Sequence, residues 1–130
     1  MQTKTQSYKN QHIGSLRNSR IAKTRKFILS NTKSSLLNNT KWLKIFEELE
    51  KNKNVFWLKN LLTENVQKCQ FIRELEITSV LIDESGDFIE FLEIESLILQ
   101  ESSEMEDFLI RHNVPFLIQN SMIEINGYTF

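Results

Sequence analysis

Five glutamates, Glu74, Glu76, Glu90, Glu93 and Glu95, are the side chains whose type and spacing most invite a chemical role. They recur inside two β-rich apolar runs, at spacings that would line carboxylates along the surface of a sheet. Acid–base catalysis needs more than closeness, because some pair will be close in any chain this rich in carboxylates. A carboxylate stripe can, however, meet a positively charged partner or keep a solvated sheet face from aggregating. The opposite charge is gathered in Arg17, Arg20, Lys23, Arg25 and Lys26, spaced cations of the kind that neutralise phosphates without reading bases.

Other chemistries lack their residues. Two histidines and the single Cys69 lie far apart in sequence and give no zinc-type spacing, so no metal site is expected. Asp83, Ser85, Gly86 and Asp87 resemble a calcium loop only at its start, without the later ligand series, and read as a hairpin turn. Gly14, Gly86 and Gly127 are the only glycines and form no phosphate-cradling loop. No nucleophile elbow or Cys/His pairing occurs, so the chain is expected to be no enzyme and to need no cofactor. Cys69 reads as an inert, half-buried thiol, which makes a reducing setting the default.

The near-neutral total, −1 over 130 residues, conceals two segments of opposite sign. Residues 1–37 carry eight cations and no carboxylate; residues 38–130 carry a net charge of −9. The first segment is poor in apolar residues and keeps no clean period, so it reads as a basic, flexible extension with at best one weak helix within 15–30. The second is long enough to bury a core of its own. No apolar run is long enough to span a bilayer, and the stretch after the basic N-terminal residues is too short for a signal peptide.

The elements of the acidic segment follow from periodicity. Asn38, Asn39 and Thr40 open a helix over about 40–52, with Trp42, Leu43, Ile45, Phe46 and Leu49 on its apolar stripe. Residues 55–62 tilt towards a strand and 63–70 towards a loop or helical turn. The stretch 71–99 predicts two paired strands at the centre of the sheet, joined by a turn at 83–87. In the second of them the alternation changes phase between Phe91 and Leu92, as a bulge or burial on both faces would produce. Glu74, Glu76, Glu93 and Glu95 would then form an exposed stripe with Glu90 nearby. Ser103 and Glu106 predict a capping box for a helix that ends at His112, with Asn113 in the left-handed position and Pro115 beyond. Residues 116–119 and 122–125 predict a closing hairpin about Asn120-Ser121, and Asn126-Gly127 a further bend. The fold class is therefore α+β: an antiparallel sheet with two flanking helices and a C-terminal hairpin.

Three short stretches carry a resemblance. Asn38-Asn39-Thr40-Lys41-Trp42, Glu90-Phe91-Leu92-Glu93-Ile94, and Asn113-Val114-Pro115-Phe116 through Ile125-Asn126-Gly127-Tyr128 resemble an uncharacterised family of small bacterial domains over 38–130. The resemblance implies a cytoplasmic α+β domain, similar by analogy to immunity proteins of bacterial toxin systems. With the charge asymmetry, it leads to the expectation of a non-catalytic inhibitor whose glutamates cover a basic, nuclease-like toxin. The alternative is a nucleic-acid accessory protein that binds through Arg17, Arg20, Lys23, Arg25 and Lys26.

Overall fold

A computed structural model describes residues 4–69, 80–82 and 88–130, with side chains from Asn18 onwards in the first helix. The described residues form an α+β fold with three helices, a five-stranded antiparallel sheet and two short two-stranded ladders.

Helix α2 (Asn39–Lys51) begins where the asparagines place it. Asn38 is its N-cap, and its Oδ1 accepts from the Lys41 amide at 2.8 Å. Its stripe of Trp42, Ile45, Phe46 and Leu49 is buried. Phe46 is the hub, with ring centroids 5.6 Å from Trp42, 5.6 Å from Phe56 and 5.2 Å from Phe91. Helix α3 (Ser103–Arg111) adds Met105, Phe108 and Leu109 to the same core.

The cap of α3 corrects the expected one. Ser102, not Ser103, is the N-cap, and its Oγ accepts from the Met105 amide at 3.4 Å. The helix starts one residue earlier than a box closed by Glu106 requires, so Glu106 lies within the first turn and serves the macrodipole there. The far end is as expected: His112 is the C-cap and Asn113 takes φ 55°.

The large sheet runs β3 (Val66–Cys69), β2 (Phe56–Asn60), β6 (Ile94–Gln100), β8 (Met122–Asn126), β7 (Leu117–Gln119). The 55–62 stretch is thus a strand, and the expected loop at 63–70 contains β3. Between β2 and β3, the Asn60 side chain accepts from the amides of Leu62 and Thr63 at 2.8 and 3.1 Å, which tightens the turn. Asn120 and Ser121, at φ 52° and 62°, make the two-residue turn of the closing hairpin.

The centre of the sheet is β6, flanked by β2 and β8, and not the pair expected from 71–99. That pair survives as a separate ladder, β4 (Val80–Ile82) against β5 (Phe88–Glu90). The rest of its first strand, and the turn at 83–87, lie outside the described residues. A 3₁₀ turn, Phe91–Glu93, separates β5 from β6 and is the physical form of the phase change after Phe91.

The basic segment is helical from Lys4 to Asn31 (α1), well beyond the short helix expected within 15–30. No amphipathic stripe announces it. What ties it down is a buried Thr24, which donates to the Arg20 carbonyl at 2.9 Å, and Arg20, which reaches Glu93 in the body. Beyond α1, β1 (Ser34–Ser35) pairs with β9 (Tyr128–Thr129).

Candidate functional site

Strand alternation and register sort the large sheet into two faces. Phe56, Leu58, Leu97, Leu99, Ile123 and Ile125 are buried in the core beneath α2 and α3. The intervening residues face the other way. One row across all five strands reads Lys68, Trp57, Ile98, Glu124, Leu117. Trp57 and Ile98 are half-buried at its centre, and Leu117, at 54 % exposure, closes one end. The next row reads Val66, Lys59, Ser96, Asn126.

An irregularity in β6 brings charge to this face. The pairing of β2 with β6 shifts between Lys59 and Asn60, opposite Ser96 and Ile94, so Glu95 is the extra residue of a bulge. Its carboxylate lies 2.9 Å from Lys59 Nζ. Glu95 holds the Lys59 ammonium above the ordinary lysine range, and Glu64 and Glu124 add to the effect from further off. Lys59 is therefore one cation among three carboxylates. Among the described residues, this corner of the face sets three carboxylates around one lysine, with Lys68 one row away.

The expected acidic stripe is not what the described residues form. Glu74 and Glu76 lie outside them. Glu90 and Glu93 are buried, at 4 and 3 % exposure, because the 3₁₀ turn rotates this stretch away from simple alternation. Glu93 Oε1 lies 2.7 Å from Arg20 Nε, a charge contact without hydrogen-bond alignment, and Oε2 accepts from Asn60 Nδ2 at 3.1 Å. Burial raises the Glu93 pKa, and Glu90 adds to the rise. Arg20 and Asn60 oppose it without cancelling it. Of the three of these glutamates that lie among the described residues, Glu95 alone is on the sheet face.

The cations divide in the same way. Arg20 faces inward to Glu93, whereas Lys23, Arg25 and Lys26 are exposed on α1. Arg17 lies in the α1 backbone, its side chain outside the described set. Among the described residues no cluster of metal-binding groups occurs, and no helix is long and apolar enough to cross a membrane.

The three stretches that carry the family resemblance meet at one place. Trp42, Leu92 and Tyr128 line an open groove of about 490 Å³ beside the start of α2. Its side chains are committed to the fold: Tyr128 Oη donates to the Leu92 carbonyl at 2.8 Å, Ser35 Oγ donates to the Leu37 carbonyl at 3.0 Å, and Asn38 caps α2. Gly127 packs behind Trp42. These motifs are a structural joint. No family model, curated protein or solved structure matches the chain.

Sequence reasoning missed Trp57, Ile98, Glu64 and Glu124. The signal for Trp57 is present, since it alternates with buried Phe56 and Leu58 and so shares a face with Lys59. Its neighbours on other strands are set by register, which no single stretch of sequence displays.

Proposed function

We propose that this chain is a non-catalytic protein-binding domain that receives a basic protein on the face of its five-stranded sheet turned away from α2 and α3. The observation that carries the proposal is the coexistence, on one face, of the Trp57–Ile98 centre and the carboxylates of Glu95 and Glu124, with Glu64 in the adjoining turn close enough to act on Lys59. An apolar centre with a charged rim is the usual anatomy of a protein interface, and tryptophan is the side chain most often found to dominate one. The narrower form of the proposal is an immunity-type inhibitor of a nuclease-like toxin, acting in the cytoplasm. The −9 balance of residues 38–130 supports it, since opposite potentials speed encounter and select partners. Glu90 and Glu93 contribute nothing to such a surface, and Glu64 and Glu124 take their place beside Glu95.

The test is affinity for basic proteins encoded by neighbouring genes. Trp57→Ala is expected to weaken binding by about tenfold or more, and high salt to slow association. Equal binding by wild type and Trp57→Ala, or no binding of any basic neighbour, overturns the proposal.

A second reading has its own observation. Lys23, Arg25 and Lys26 stand exposed on a helix without a single carboxylate, a fit for phosphates. Nucleic-acid binding at low salt that disappears in a Lys23→Gln, Arg25→Gln, Lys26→Gln variant would favour this reading. Binding unchanged in that variant would end it.

A further inference from the structure

The apolar core row Phe56, Leu99, Ile123, Ile118 crosses the sheet and stops at its edge with Ile118 still 44 % exposed. The turn fixes which backbone groups lie free there. In a two-residue hairpin the flanking residues, Gln119 and Met122, exchange hydrogen bonds across the strands. Bonded and non-bonded pairs alternate along an antiparallel ladder, so the Ile118–Ile123 pair is non-bonded and the Ile118 N–H and C=O point away from β8. Natural sheets commonly guard such an edge with lysine, proline or a bulge. The opposite edge, β3, carries Lys68. β7 carries none of these, and no charged residue occurs from Asn113 to Ile123 in a chain that is 25 % charged.

We propose that β7 is the seam of a symmetric homodimer. Two copies of β7 run antiparallel about a two-fold axis through Ile118, joining two five-stranded sheets into one. Each Ile118 N–H donates to the Ile118 carbonyl of the other copy, and Leu117 stands opposite Gln119. The side chains of the two Ile118 residues meet on the core face and continue the row that ends there. A second copy is favoured as occupant because the seam is neutral, so self-pairing sets no like charges opposite one another, whereas the basic partner proposed for the outer face gains nothing at an uncharged edge. A strand of three residues buries less than the standard interface, so the dimer is weak and depends on concentration.

Sedimentation velocity of the full chain across a concentration series tests the seam. The wild type is expected to pass from monomer to dimer. Ile118→Lys, at a position already exposed, is expected to keep its circular dichroism spectrum and to raise the dimer dissociation constant by about tenfold or more. A geometric test runs beside it. Ile118→Cys places two thiols opposite each other in a bonded pair, within disulfide reach, and is expected to cross-link on mild oxidation. Cys69 is fully buried and does not compete. Phe130→Cys, at another exposed position, serves as the control. A chain that stays monomeric throughout, a dimer indifferent to Ile118→Lys, or cross-linking at 118 no greater than at 130 each overturns the proposal.

Discussion

Replacing Gly127 by alanine is expected to lower the unfolding free energy by about 3 kcal/mol, read from urea denaturation. A Cβ there would stand 2.6 Å from the Ile94 carbonyl oxygen and 3.2 Å from the Trp42 ring. The first contact is with backbone in the middle of the sheet and cannot swing aside. Gly127 is held from both sides, its amide donating to the Glu95 carbonyl at 2.8 Å and its carbonyl accepting from Leu36 at 2.8 Å. Any shift that relieves the clash therefore disturbs the β6 bulge and the attachment of residues 33–36. Gly127→Ala should also weaken whatever binds beside Glu95, whereas a distant core substitution of equal cost should not. A loss well under 1 kcal/mol would show that the packing around Trp42 yields more easily than the geometry implies.

The second large effect is expected at Arg20. Arg20→Ala should destabilise the fold by about 2 kcal/mol at neutral pH, because it leaves the buried Glu93 carboxylate without its counter-charge. The figure is kept below that of a fully buried pair because Arg20 itself is 39 % exposed. The pH dependence distinguishes this from lost packing. Burial already raises the Glu93 pKa, so in the native state it takes a proton more readily than in the unfolded chain. The stability this group contributes is full below the ordinary carboxylate range and is lost as pH rises through the native value. Without Arg20 the native value rises further. The difference between variant and wild type should therefore be largest near neutrality and shrink on acidification, with Glu93→Gln abolishing the trend. A difference that does not vary with pH would mean that Arg20 acts through its hydrocarbon stem alone.

What could be read from the sequence was whatever a single element decides alone. The stripe of Trp42, Ile45, Phe46 and Leu49 needs only a helical period, and Asn38 needs only the first-turn amides. The Asn120-Ser121 hairpin needs only two residues that accept positive φ. The reading of Glu90 and Glu93 failed because alternation presumes an unbroken strand, and three residues of 3₁₀ turn reset the phase. The cap of α3 slipped by one because Ser102 and Ser103 are chemically identical, and only the backbone chooses between them. The length of α1 was hidden because it has no amphipathic stripe and because its contact with the body, Arg20 against Glu93, joins residues far apart in the chain. For the site, the charge imbalance was visible and its location was not. Trp57, Ile98 and Glu124 belong to three strands that become neighbours only through register.

The ladder between β1 and β9 has a kinetic meaning. Ser34 Oγ and Thr129 Oγ1 lie 2.7 Å apart although 95 positions separate them, and the Lys33 amide donates to the Thr129 carbonyl at 2.8 Å. Closing so wide a loop spends chain entropy before any contact rewards it. During synthesis the first helix and its short strand leave the ribosome long before their mate exists. They must wait in an unzipped state until nearly every other residue of the domain has been made. Of the contacts that hold the basic segment to the body, this ladder therefore joins partners made at nearly opposite ends of synthesis, whereas Arg20 can meet Glu93 sooner.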